Sequence, residues 1–141
     1  MLLLFRVACQ GFSRPMEDQR LTEAIIGCAM KIHSTLGPGF LESVYRRALT
    51  YELTKAGLKA DCEKRITVKY DGVIVGDFTA DLLVQDRVMV ELKANQTLVP
   101  ANEVQVVNYL TATGIETGLL LNFGSERLEF KRKTRTYRPR Q

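Results

Sequence analysis

Asp81 and the triplet Glu91-Leu92-Lys93 are the residues whose types and spacing point to chemistry. They lie in two stretches of two-residue period, Phe78 to Val84 and Val88 to Lys93, joined by Gln85-Asp86-Arg87. Successive side chains of a strand point to opposite faces. Glu91 and Lys93 therefore share one face, with Val88, Val90 and Leu92 on the other. On the preceding strand, Asp81 and Leu83 share one face, and Ala80, Leu82 and Val84 share the opposite one. A three-residue loop pairs Val84 with Val88, and the same register sets Asp81 opposite Glu91, roughly 5 Å apart at Cβ. A slip of one residue would bury charge among Val and Leu, so the pattern resists it. Two carboxylates this close repel, and one must gain a proton or a cation. A hard divalent cation such as Mg²⁺ or Mn²⁺ suits them, because it takes oxygen ligands and keeps several waters. Lys93 is placed to polarise an attacking water or to offset charge on a phosphoryl transition state. E-x-K alone is a common triplet. Its weight comes from the upstream Asp81 in register and the unbroken apolar run on the reverse face.

Two further pairs are candidates for the same site. Glu42 and Tyr45 are three apart, and Gln105 and Tyr109 four apart, so each pair shares a helix face. Taken singly, a tyrosine on an amphipathic helix is core with its hydroxyl at the edge, and a glutamine is solvated. Gly39 precedes the Glu42 helix, where a side chain would obstruct a close approach. His33 is the one histidine. It reads as a helix-surface residue, since a second histidine is lacking to complete a metal site. Cys28 reads as core. Three cysteines without CxxC spacing suggest reduced thiols rather than a disulfide framework or zinc site. No glycine-rich phosphate loop is present.

These residues need elements to hold them. Leu21, Ile25, Cys28, Ala29, Ile32 and Leu36 recur at helical steps, with Asp18 as cap and Gly37-Pro38 as stop. A second helix is expected from about Phe40 to Ala56, closed by Gly57. The hairpin signature Ile66–Tyr70, Asp71-Gly72, Val73–Val75 follows. After the two site strands come a helix at Asn102 to Thr113 ended by Gly114, a strand at Gly118 to Phe123, and a last strand at Arg127 to Lys131. The order ααββββαββ predicts an α/β (α+β) domain with a mixed central sheet flanked by helices.

The chain has 141 residues, 45% apolar and 26% charged, close to the globular average, so one folded domain is expected. The longest apolar run is far short of a membrane span. Residues 1–15 read as a loose arm or a misassigned start, with Met16 just before the first helix; residues 16–132 form the domain. Residues 131–141 hold six Lys/Arg and no acid, against +4 for the whole chain, so the body is mildly acidic. The basic end, with 133–141 as a tail and Lys131, Arg132 and Lys133 at its root, suits polyphosphate through counterion release. A solvated terminus is the plainer alternative.

The stretch Leu36-Gly37-Pro38-Gly39-Phe40-Leu41-Glu42-Ser43-Val44-Tyr45 resembles the motif of the GxxExxY proteins, small bacterial and archaeal domains. Ala80-Asp81-Leu82-Leu83-Val84, Val90-Glu91-Leu92-Lys93-Ala94 and Gly118-Leu119-Leu120-Leu121-Asn122-Phe123 match as well. The resemblance spans about residues 18–132, and the family is similar to the PD-(D/E)xK nuclease superfamily. It implies a nuclease-like core with a metal site on the central strands. Asp81 and Glu91 would be metal ligands, Lys93 the catalytic lysine, and Glu42 an auxiliary acid and further ligand. Gln105 and Tyr109 look like the Q-x-x-x-Y pair of the exonuclease branch. Ala80 departs from the proline of the superfamily name, and Thr79 stands where a basic residue is usual. The reading that follows is a cytoplasmic, Mg²⁺- or Mn²⁺-dependent nuclease acting on DNA, without a membrane partner. The alternatives are a non-catalytic nucleic-acid- or protein-binding module that keeps the fold, and a subunit working in a homo-oligomer or larger complex.

Overall fold

A computed structural model describes residues 14–135. Among them are three helices, α1 (Arg14–Leu36), α2 (Glu42–Lys55) and α3 (Pro100–Thr113), and five strands. The strands are β1 (Ala60–Tyr70), β2 (Val73–Val84), β3 (Val88–Lys93), β4 (Thr117–Asn122) and β5 (Glu129–Thr134). They form one mixed sheet in the order β1-β2-β3-β4-β5. Only β3 and β4 are parallel, and α3 is the crossover between them. Parallel neighbours require such a crossover, and here it covers one face of the sheet.

α1 and α2 cover the other face. Leu82, Val84, Val88, Val90 and Leu92 point there, packed with Ile25, Ile32, Leu49 and Leu53. The α3 side buries Ile66, Ala80, Met89 and Leu120 against Val106 and Leu110. Gly118 sets how closely α3 lies on the sheet: a Cβ there would come within 2.7 Å of Val106 Cγ1. α3 begins at Pro100, before the expected Asn102. Proline suits the first helical position, and the Asn102 side chain accepts the Val99 N–H at 3.0 Å.

Several expected boundaries move. The two short strands at 73–75 and 78–84 are one strand, since Gly76 and Asp77 pair with Val68 and Thr67 of β1, with a register shift beside them between Val68 and Lys69. α1 starts at Arg14, so Asp18 lies within the helix and is buried rather than capping it. Thr117 donates to its carboxylate at 2.7 Å, as does Arg87 Nε at 3.1 Å. His33 is also buried: its Nε2 lies 2.9 Å from the Ser125 carbonyl oxygen. Cys28 packs half-buried against the larger core. β5 runs past Lys131 to Thr134, so the expected tail begins as an edge strand. Residues 1–13 and 136–141, with Arg138, Arg140 and most of the expected arm, lie outside the described residues.

Candidate metal-dependent nuclease site

β2 and β3 pair through Val84–Val88, Leu83–Met89 and Leu82–Val90, as the three-residue loop requires, and then part. Asp81 and Glu91 stand where they part. There the two carboxylates take N–H groups of the opposite strand. Asp81 N–H donates to Glu91 Oε1 at 3.2 Å, and Leu92 N–H donates to Asp81 Oδ2 at 2.8 Å. The expected register is present, but the expected alternation is not. Ala80 packs in the α3-side cluster, while Leu82 and Val84 pack against α1 and α2. Ala80 and Leu83 line one depression with Met89. The alternation slips at Asp81, opposite Glu63 of β1, whose φ of 51° leaves the strand region between the pairs Cys62–Leu82 and Lys64–Ala80. The slip turns Asp81 towards the seam between sheet and α2, where Arg46 Nη1 lies 3.6 Å from Asp81 Oδ1.

Glu91 is 5% exposed. Burial raises its pKa well above the ordinary glutamate range, and the Asp81 charge adds to the rise. The Asp81 N–H bond and the Lys93 charge offset part of it. Lys93 is half-buried at the end of the same strand. The pair thus favours a proton or a cation at Glu91. Two carboxylates on adjacent strands, one costly to ionise without a counter-charge, suit a hard divalent ion that keeps water in its remaining positions. Among the described residues, no group of three or more His, Cys, Asp or Glu is gathered closely enough to hold a metal. The structure therefore brings Asp81 and Glu91 together but does not add Glu42 as a third member.

Glu42 is the first residue of α2, one turn before Arg46 on the same side of the helix. Tyr45 serves the loop that leads into this helix. It is fully buried, donates its hydroxyl to the Gly37 carbonyl at 2.6 Å, accepts the Phe40 N–H at 3.1 Å and stacks on Phe123. Gly39 is needed for its φ of 110°, not for a close approach, since a Cβ there would meet nothing within 4 Å. Across the sheet, Tyr109 stacks on Phe78 with ring centroids 3.5 Å apart. Its hydroxyl pKa is raised, by burial first and then by Glu91. Gln105 shares a hydrogen bond with that hydroxyl. Gln105 and Tyr109 thus stand at the α3 edge of the acid pair.

The three cations at the root of the expected tail do not form one patch. Lys131 and Lys133 act on Glu103 of α3, and Lys133 Nζ pairs with it at 2.6 Å. Arg132 faces α1, where its Nε donates to Thr22 Oγ1 at 3.2 Å. Arg46 is the site residue that sequence reasoning missed. Its spacing of four from Glu42 was the available signal, and a single arginine on a polar helix face carries little weight.

No curated protein sequence matches the chain. Solved structures that share its fold include two at low identity. The crystal structure of SSO0001 aligns with a TM-score of 0.54 and 15% identity over 69% of this chain and 52% of that one. The alkaline exonuclease LHK-Exo from Laribacter hongkongensis aligns with a TM-score of 0.50 and 14% identity over 67% of this chain and 55% of that one. The chain therefore spans about half the length of each of these proteins. Residues 19–133 match the sequence model of the PD-(D/E)XK nuclease superfamily, and with the nuclease-like sheet this shows that the chain belongs to that superfamily.

Proposed function

We propose that this chain hydrolyses phosphodiester bonds in DNA, with Asp81 and Glu91 holding Mg²⁺ or Mn²⁺ and Lys93 assisting. The observation that carries the reading is the acid pair at the parting of β2 and β3, in a chain of a nuclease superfamily. A divalent ion held there supplies Lewis-acid chemistry, drawing off charge that builds on a phosphodiester under attack. Asp81 and Glu91 fix the cation's place through strands whose registers are set by an apolar core. Lys93, half-buried at the end of β3, orients the attacking water and offsets charge on the phosphoryl oxygens. Tyr109, with its pKa raised, keeps its proton and can donate it in a hydrogen bond to a phosphate oxygen at the rim. Gln105 orients that hydroxyl. Glu42, one turn before Arg46 at the start of α2, is the auxiliary acid of this reading.

The test is a cleavage assay on single- and double-stranded DNA with Mg²⁺, Mn²⁺ or EDTA. Cleavage that needs the metal and disappears in Asp81→Asn supports the reading. Metal-dependent activity equal in wild type and Asp81→Asn points to a contaminant and removes it. DNA binding without cleavage of either substrate favours the non-catalytic module.

A further inference from the structure

We infer that Arg46 is the resident cation of the acid pair, and that a divalent ion binds Asp81 in competition with it while Glu63 draws the guanidinium aside. The inference rests on the reading of Asp81 and Glu91 as a metal site, and it assigns that site a positioning residue on α2.

The geometry is that of a cation shared between two acids. Arg46 Nη2 lies 3.0 Å from Glu63 Oε1, and Nη1 lies 3.6 Å from Asp81 Oδ1. The Arg46 and Asp81 side chains are 22% and 18% exposed, and Glu63 is 61% exposed. One partner is therefore shielded and the other wet. Asp81 Oδ2 accepts the Leu92 N–H, whereas Oδ1 takes no strand N–H and is the atom that Arg46 faces, so a cation at Oδ1 meets the guanidinium. A guanidinium and a divalent ion repel each other, and both cannot occupy that oxygen.

Glu63 is placed by an unusual backbone. Its φ of 51° is a left-handed conformation that side chains other than glycine rarely adopt. It lies level with Asp81, both left unpaired between the pairs Cys62–Leu82 and Lys64–Ala80. Local strain of this kind persists where the surroundings enforce it, often at functional sites. Here it accompanies a second carboxylate within reach of the same guanidinium. A two-position arginine follows: shared with Asp81 when the pair lacks a metal, drawn to Glu63 when a metal arrives.

The expected signs differ from those of a merely structural arginine. Removing the competitor should tighten metal binding. Neutralising Glu63 should leave Arg46 on Asp81 and weaken metal binding. The measurement is Mn²⁺ binding to the full chain, stripped with EDTA, by isothermal titration calorimetry without nucleic acid. For Arg46→Gln the Mn²⁺ Kd should fall about fivefold, the worth of one partly screened ion pair. Arg46→Lys should restore a Kd near wild type. Glu63→Gln should raise Kd about threefold in the wild-type background and have little effect on top of Arg46→Gln, a non-additivity that plain loss of negative charge would not produce. Glu63 is exposed, so its variant reads the coupling even where Arg46→Gln fails to fold. The inference is overturned if folded Arg46→Gln binds Mn²⁺ no tighter than wild type, or if Glu63→Gln has the same effect in both backgrounds. Mn²⁺ binding lost in Asp81→Asn but unmoved by these variants removes this inference alone. Mn²⁺ binding unmoved by Asp81→Asn removes the metal site and the inference with it.

Discussion

Asp18 and Glu91 are both buried acids, 9% and 5% exposed, yet their surroundings are opposite. Asp18 sits near the β2–β3 turn, where Arg87 Nη2 approaches to 3.0 Å and Thr117 donates a hydroxyl. Glu17 also pairs with Arg87 there. Glu91, three residues along β3 from Val88, receives a single strand N–H, and its neighbour across the strand is another carboxylate. A buried charge is ordinarily neutralised on the spot or eliminated. At Asp18 the chain provides both a cation and a hydroxyl. At Glu91 it withholds a full counter-charge and presses a like charge against it, a cost that is understandable where a ligand completes the site. The charge of Asp18 is closed within the fold, whereas that of Glu91 is left open, because the arginine beside the pair, Arg46, faces Asp81.

The contrast breaks most sharply in catalysis. Asp81→Asn, Glu91→Gln and Lys93→Ala should each lower metal-dependent DNA cleavage by about a hundredfold or more, while folded Arg87→Ala stays near wild type. A gel assay at matched folded concentration reads both, and loss in Arg87→Ala alone would reverse the assignment.

Stability against pH sharpens it next. The raised Glu91 pKa means that the folded state holds a proton which the unfolded chain releases earlier. Stability from this group is fully present below the ordinary glutamate value of 4.5 and is lost as pH rises through the folded value, about 8. In metal-free protein, denaturant titration should show stability falling across that window by an amount on the order of a few kcal/mol, and Glu91→Gln should flatten the slope. An unchanged slope in Glu91→Gln would show that Glu91 ionises freely in the fold.

At Asp18 the effects are on stability alone. Arg87→Ala should destabilise by about 2 kcal/mol, below the range for fully buried pairs because the arginine is one-third exposed. Thr117→Val should cost about 1 kcal/mol, the worth of one buried hydrogen bond. Chemical denaturation measures both, and a neutral Arg87→Ala would mean that Asp18 is not held by its cation.

The acid pair was legible in the sequence because a three-residue loop and an apolar reverse face leave one workable register. The mixed sheet between helices followed from the same periodicities, and its nuclease-like character from the resemblance carried by the stretches around Glu42, Asp81 and Glu91. The slip at Asp81 was not legible: Thr79-Ala80-Asp81-Leu82 reads as regular alternation, and the left-handed Glu63 that accompanies the slip belongs to another strand. Asp18 has the residue type of a cap, and its role depends on Arg87, 69 residues away. The run Lys131-Arg132-Lys133 looks like a tail because an edge strand places polar residues on both faces. Its cations are then divided between Glu103 and Thr22, which sequence proximity conceals.

The central claim is that Asp81 and Glu91 form a divalent-metal site, and thermal unfolding against Mn²⁺ tests it without relying on activity. At pH 8, EDTA-stripped wild type should melt about 5 °C or more higher at a hundredfold excess of Mn²⁺ over its Kd. The shift should shrink at pH 5, where the proton on Glu91 competes with the metal. Asp81→Asn should show little shift at either pH. Equal Mn²⁺ stabilisation of wild type and Asp81→Asn, or none of wild type at pH 8, would contradict the claim.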